Sequence, residues 1–365
     1  MRADTSSSSA PGWTNAAEPT TGTMKAIVRE RYGATEVLRL DEVPRPLPGD
    51  HDLVLHVAAA GLDRGAWHAM TGLPYLSRLL FGLGRPKQPV LGTDVAGTVV
   101  ALGAAVTGFS VGDEVFGFGR GAFAEYALVA DDRVAHKPPG LSFEPAATLP
   151  VSGVTALRAV HDHGRVQAGQ HVLVTGASGG VGSFTVQLAK AAGAHVTGVC
   201  SPSKADFVRS LGADDVVDRT REDFADGSRR YDLVIDIAGN PALSRLRLAL
   251  TPHGTAVLVG GEDGGSLTGG MNRQLRALVL SRFVGQRLTM FIATVHSPDL
   301  ERLAALVTEG RITPRVDRTY ALHQVPDAMR RLEAGEVRGK VAITVRAGRR
   351  SVTDEGSADI PRDDR

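Results

Sequence analysis

The sequence predicts an α/β protein in two parts: a small, strongly curved, barrel-like β domain and an open parallel sheet with helices on both faces. Two observations carry this prediction. One is a strand–glycine turn–helix–strand unit at residues 171–200, HVLVTGASGGVGSFTVQLAKAAGAHVTGVC; the other is a change of pattern near residue 143, from short, evenly spaced strands to alternating helices and strands. The length, 365 residues, suffices for two domains.

In the 171–200 unit, residues 171–175 are short, apolar and β-branched, as a buried strand requires. Phe184, Val186, Leu188 and Ala189 then recur at helical spacing, Gly193 closes the helix, and residues 195–200 are apolar again. Between strand and helix lies Gly176-Ala177-Ser178-Gly179-Gly180-Val181-Gly182. Gly176 allows a tight exit from the strand. Gly179 and Gly180 clear side chains so that backbone N–H groups can approach a diphosphate, and Gly182 lets the helix pack on the sheet. The helix N-terminus adds partial positive charge. With both strands and the helix present, the unit predicts dinucleotide binding, with Ser178 and Val181 in the cradle. No Lys-Ser or Lys-Thr pair follows the last glycine, so a P-loop is excluded. A methyltransferase-type glycine loop is the competing reading of this stretch alone.

Residues 1–23 are rich in Ser, Thr, Ala and Pro and read as a disordered tail, or as an over-extended start ahead of Met24; the polar stretch 347–365 reads as a second tail. Strands are predicted at 24–30, 37–40, 53–60, 95–101, 111–116 and 122–129. Beyond the 171–200 unit, helices are predicted at 204–211 and 242–250, and strands at 215–218, 231–237 and 254–260. The remainder holds helices at 300–309 and 325–333, a strand-like stretch at 288–295 and a final strand at 341–345 that returns to the first domain. The domains are accordingly 24–145 with 300–346, and 146–299.

Composition narrows the function classes. Formal net charge is +1 with 22% charged residues, which suggests neither a nucleic-acid nor a membrane surface. The one cysteine, Cys200, excludes an internal disulfide and a multi-cysteine zinc site, and no apolar run reaches the length of a membrane span. A cytoplasmic enzyme is the expectation.

Several motifs, weak singly, are distinctive in their order: MKAIV at 24–28, LGTDVAGTV at 91–99, GDEVF at 112–116, GAFAEY at 121–126, VSGVTA at 151–156, the glycine loop, and GKV at 339–341. From Met24 to Val345 the chain resembles the medium-chain dehydrogenase/reductase superfamily, in particular its zinc-independent quinone-oxidoreductase-like branch. The resemblance implies a GroES-like β-barrel catalytic domain, a Rossmann domain and a substrate cleft between them, and it removes the methyltransferase reading. It implies contacts to the cofactor from Thr155, Ala238, Gly239, Gly260 and Lys340. Zinc-dependent relatives place a Cys where this sequence has Gly61-Leu62-Asp63-Arg64, and a Gly-His-Glu where it has Gly92-Thr93-Asp94; thiolate and imidazole are both missing, so no metal is expected.

For the cofactor, the second strand of the unit ends in Cys200-Ser201-Pro202-Ser203-Lys204 with no acid until Asp206. A carboxylate here would repel a 2′-phosphate, whereas Ser201, Ser203 and Lys204 can donate to one; NADP(H) is favoured over NAD(H). Ser201 and Ser203 can equally cap the following helix.

Without zinc, the substrate oxygen must be polarised by hydrogen bonds and the proton supplied by a side chain, ribose hydroxyl or water. The loop from Asp63 to Tyr75 faces the substrate in this family and offers Asp63 and Tyr75, with Trp67 and Phe81 as an apolar wall. Asp63 stands where many relatives carry Asn; its alternative is a helix cap, and that of Tyr75 a surface residue. The reading is an NADPH-dependent oxidoreductase acting on a small-molecule quinone, enone or carbonyl; the resemblance further implies a homodimer, since this family often pairs subunits through the stretch at 288–295. A non-catalytic nucleotide-binding or sensing protein that keeps the fold is the alternative.

Overall fold

The structure is a computed structural model that describes residues 22–261 and 264–345. The predicted tails fall outside this range except for Gly22 and Thr23, and Thr23 already begins a strand. An antiparallel ribbon opens the chain, β1 (Thr23–Val28) with β2 (Arg39–Pro44). Then come β3 (Asp52–Leu62), α1 (Arg64–Thr71), α2 (Arg78–Phe81), β4 (Asp94–Leu102), β5 (Glu114–Arg120) and β6 (Tyr126–His136). These four strands pair in sequence, and β3 also pairs with β6, so they close into a ring around Leu53, Leu55, Val57, Val95, Val99, Val115 and Val129, all fully buried.

Helices α3 (Phe143–Ala146) and α4 (Pro150–Leu157) lead to the second sheet. It is built from β7 (His171–Thr175), α5 (Gly180–Ala191), β8 (His195–Cys200), α6 (Ala205–Ser210), β9 (Asp215–Asp218), β10 (Tyr231–Asp236), α7 (Leu243–Ala249), β11 (Leu250–Leu258), α8 (Met271–Leu280) and β12 (Arg287–Met290). All its strands are parallel, in the order β12-β11-β10-β7-β8-β9. The order reverses between β7 and β10. Helices that cross to opposite faces leave a crevice at that reversal, beyond the carboxyl ends of the strands.

The chain finishes with α9 (Ser297–Thr308), β13 (Val316–Ala321), α10 (Val325–Glu333) and β14 (Lys340–Thr344). β14 pairs with the carboxyl half of β3, Leu62 opposite Val341, and thereby rejoins the first sheet. The strand-like stretch 288–295 is shorter than its sequence suggests. β12 ends at Met290, opposite Leu258, where β11, its only partner among the described residues, also ends. Likewise 37–40 divides into a helical turn at Thr35–Val37 and the start of β2. Among the described residues no helix is long and apolar enough to cross a membrane.

Candidate active site

The crevice is lined first by the glycine loop. Gly176 leaves β7 with φ +65°, and a Cβ on it would lie 2.6 Å from Cβ of Ala238, so two strand ends meet here with no room for a side chain. A Cβ on Gly182 would lie 2.1 Å from the Gly176 carbonyl oxygen. The loop is thus folded tightly onto the first turn of α5, with Gly179 at the helix N-cap and Ser178 buried. Unpaired first-turn amides face the crevice, the arrangement that holds diphosphates. Val181 is half-buried just inside the helix start.

A second cluster fixes the ends of β10 and β11. Asp236 is fully buried and lies 2.7 Å from Nη2 of Arg273 on α8; Thr175 Oγ1 donates to its other oxygen at 3.0 Å. Arg273 also donates to the carbonyls of Pro241 and Gly260, at 3.0 and 3.1 Å. It so brackets the turn holding Ala238 and Gly239 on one side and Gly260 on the other. Burial pushes the Asp236 carboxyl up despite the guanidinium.

At the end of β8, Lys204 is occupied rather than free: its Nζ donates to the carbonyls of Gly335 and Val337 at 2.6 and 2.7 Å. Burial and the nearby Arg338 and Arg219 lower its pKa, against the raising influence of Asp317. Those two arginines are exposed and form no ion pair among the described residues. Ser201 is half-buried and makes no side-chain cap bond to the turn it precedes. The cations at this strand end thus include two that sequence reasoning missed. Arg219 is on the far side of β9 and Arg338 is over a hundred residues later, where no local pattern marks them.

The barrel side contributes a buried ionic group. Lys340, 2% exposed, donates from Nζ to Ser152 Oγ at 3.0 Å and lies 3.7 Å from Oδ2 of Asp94, which is fully buried. Asp94 Oδ1 accepts from Val151 N at 3.1 Å. Asp63 caps α1, accepting from Ala66 N at 2.9 Å through Oδ1. The second oxygens of Asp63 and Asp94 have no hydrogen-bond partner among the described residues. Asp94 is opposite Gly61 in the sheet, and Asp63 follows two residues later on the same face, so the two carboxylates share one site with one lysine. Burial, reinforced by Asp63 and offset by Lys340, raises the Asp94 carboxyl well above the ordinary range.

An acid raised in the native state stabilises the fold while protonated; that contribution is complete below its unfolded pKa and disappears as pH rises through the native one. Asp94→Asn keeps an acceptor for Val151 N and supplies an N–H toward the second carboxylate. The variant is expected to be as stable as the parent or more, by roughly 1 kcal/mol or more at neutral pH, with the fall in stability toward alkaline pH reduced. Unfolding curves across pH check this; a variant with an unchanged pH slope refutes it.

Tyr75 stands 49% exposed at the rim, with Arg78 4.8 Å from its ring centroid, and its backbone N–H is bonded to Ser266 O across the crevice. Thr155, on the buried face of α4, donates to Val151 O at 2.6 Å. The donor set does not suit zinc. Two carboxylates and a buried ammonium converge where zinc-dependent proteins use thiolate and imidazole, and a fixed positive charge beside Asp94 opposes a divalent cation. Among the described residues no group of three or more His, Cys, Asp or Glu side chains could hold a metal.

A two-part protein with its crevice at a topological switch point and a glycine cradle beside a β ring defines a class, and comparison with known proteins agrees. Residues 49–139 match the alcohol dehydrogenase GroES-like domain and residues 211–343 the zinc-binding dehydrogenase domain. The chain is 32% identical to the chloroplastic quinone-oxidoreductase QR1 of Triphysaria versicolor, over 88% of this chain and 98% of that protein. The solved quinone oxidoreductase of Coxiella burnetii superposes with a TM-score of 0.79 at 28% identity, covering 89% of this chain and 100% of that one. A mycobacterial protein solved with NADPH superposes at 0.74 and 26% identity, covering 88% and 100%. The chain belongs to the medium-chain dehydrogenase/reductase superfamily, in its quinone-oxidoreductase-like branch.

Proposed function

We propose that this oxidoreductase is NADPH-dependent and zinc-independent, and that it reduces a quinone, an enone or a carbonyl held between the glycine loop and the Asp63–Tyr75 rim. The carrying observation is the amide cradle at Gly179–Gly182, set at the switch point of the parallel sheet. A bound nicotinamide cofactor supplies the hydride. The chain's part is binding and alignment: α5 amides hold the diphosphate, and the Arg273 clamp positions the loops at 238–241 and 259–260. Arg219, Arg338 and Ser201 face the 2′-phosphate, while Tyr75 donates to the substrate oxygen. β12, an edge strand, is the expected seam of a homodimer in the cytoplasm.

The test is fluorescence titration with NADPH and NADH, followed by turnover on a panel of quinones and enones. NADPH is expected to bind tighter by about tenfold or more, and Arg338→Glu to remove that margin while sparing NADH. Because Lys204 supports the 335–337 turn, Arg338 is the cleaner probe of phosphate recognition. Equal affinities for the two cofactors contradict the 2′-phosphate assignment. Tight NADPH binding with no turnover points to the non-catalytic alternative.

A further inference from the structure

Beyond Tyr75 the lip of the crevice is lined by leucines. The helical turn Tyr75–Ser77 runs directly into α2, so Leu76, Leu79 and Leu80 stand at positions i, i+3 and i+4 on one face, and Leu83 follows just past Gly82, where the helix is capped. These four are 42–77% exposed. The opposite lip adds Leu267, 69% exposed, and two backbone bonds hold the lips together: Tyr75 N donates to Ser266 O at 2.8 Å and Leu76 N to Leu267 O at 3.1 Å.

This strip offers little to a polar partner. Arg78 is the one charged residue in 75–83. It is tied back, its Nε donating to Gly72 O at 3.0 Å and its guanidinium lying 4.5 Å from the Tyr32 ring centroid and 4.8 Å from that of Tyr75. The Ser77 hydroxyl is buried. Protein interfaces carry roughly one hydrogen bond per 100–200 Å² and cover about 800 Å² on each partner. The five leucines leave on the order of 600 Å² exposed, without a side-chain donor or acceptor, a patch sized for part of a ligand. A hydrocarbon chain requires no hydrogen bonds, and the strip continues outward from the residue set above at the substrate oxygen.

We infer that the strip seats the hydrocarbon tail of the substrate, so that the preferred quinone or enone carries a long alkyl chain. The inference rests on the proposed reductase function, with the reacting carbonyl at Tyr75 and the tail leaving the crevice along Leu76, Leu79, Leu80 and Leu83. At about 1.5 Å of rise per residue the strip runs roughly 10 Å, which a chain of about eight to ten carbons spans. Carbons beyond that reach past Leu83 into water. A preference set by the strip therefore has a plateau, whereas simple partitioning out of water climbs with every added carbon.

Turnover of 1,4-benzoquinones bearing methyl, butyl, octyl, decyl and tetradecyl chains, each below the concentration at which it aggregates, tests it. The value of kcat/KM is expected to rise at least about tenfold from methyl to octyl or decyl and then to level off. In Leu79→Gln/Leu80→Gln, both at exposed positions, the octyl-to-methyl ratio should fall at least about threefold. A flat series overturns the inference, as does a rise with no plateau or a ratio unmoved in the variant; in each case turnover itself leaves the proposed reaction standing. If neither these compounds nor the corresponding alkyl enones are turned over, the proposed reaction fails instead, and titration calorimetry of the methyl and octyl quinones decides the tail site. Tighter octyl binding that the variant loses upholds it; equal or absent binding overturns it. A parent protein that is dimeric by analytical ultracentrifugation, and monomeric as Leu79→Gln/Leu80→Gln, also overturns it and gives the strip to a second copy.

Discussion

Lys340→Met is expected to lower stability by about 3–5 kcal/mol and Tm by roughly 10 °C, although residue 340 lies at the start of the last strand. The ammonium lies 3.7 Å from Asp94 and donates to Ser152, and its removal leaves Asp94 buried with no cation paired to it among the described residues, beside the buried Asp63. The methionine fills similar volume, so the loss is electrostatic rather than a cavity. The sign with pH follows. Without the lysine the carboxyl of Asp94 is raised further, so the deficit should shrink in acid, where the carboxyl is protonated in both states, and widen toward neutral pH. Lys340→Met combined with Asp94→Asn should recover much of the loss. Denaturant unfolding of the three variants at two pH values measures this; a single variant within 1 kcal/mol of the parent, on the scale of a surface ion pair, rejects the account.

Gly182→Ala should weaken NADPH binding by about 100-fold and destabilise the fold, against what helix propensity predicts. Propensity alone favours alanine inside α5 by about 1 kcal/mol. Sterics decide instead, because the new Cβ would stand 2.1 Å from Gly176 O and 2.8 Å from Ala177 Cα, and neither backbone atom can yield without opening the loop. Gly179→Ala separates the two consequences. Its Cβ meets only Gly176 O, at 3.4 Å, and its φ of −85° suits any residue, so Tm should hold while nucleotide affinity falls. If Gly182→Ala binds NADPH like the parent, the cradle is not where the diphosphate sits.

The glycine loop and the change from ring to parallel sheet were legible because each is written locally: β7, turn and α5 occupy some twenty consecutive residues whose periodicities announce them. The site's ionic parts were not. Asp94 reads as the lost acid of a zinc motif and Lys340 as one half of a Gly-Lys pair, and only folding shows that they neutralise each other. Ser152 and Lys340 are 188 residues apart. Arg273 has no local mark that sets it apart from its neighbouring arginines, yet its guanidinium is buried against Asp236. Lys204 shows the converse: a motif assigned it to a phosphate, while the 335–337 turn claims two of its three donors, a long-range contact invisible in the local pattern. Asp63 fits its helix-cap alternative through one oxygen only, the other being buried with no hydrogen-bond partner among the described residues.

The placement of β14 has a consequence for how the molecule is made. Residues 341–344 complete the sheet begun at 59–62, and the Gly339 amide donates to Ser178 O within the nucleotide loop. A ribosome therefore releases the final strand of the first six-stranded sheet last, after the entire parallel sheet has emerged. Until then one edge of β3 stays open, and the glycine loop lacks its backing. Nascent or prematurely terminated chains should accordingly display an unsealed strand to chaperones and proteases, and acquire nucleotide affinity only when residues 334–345 are in place.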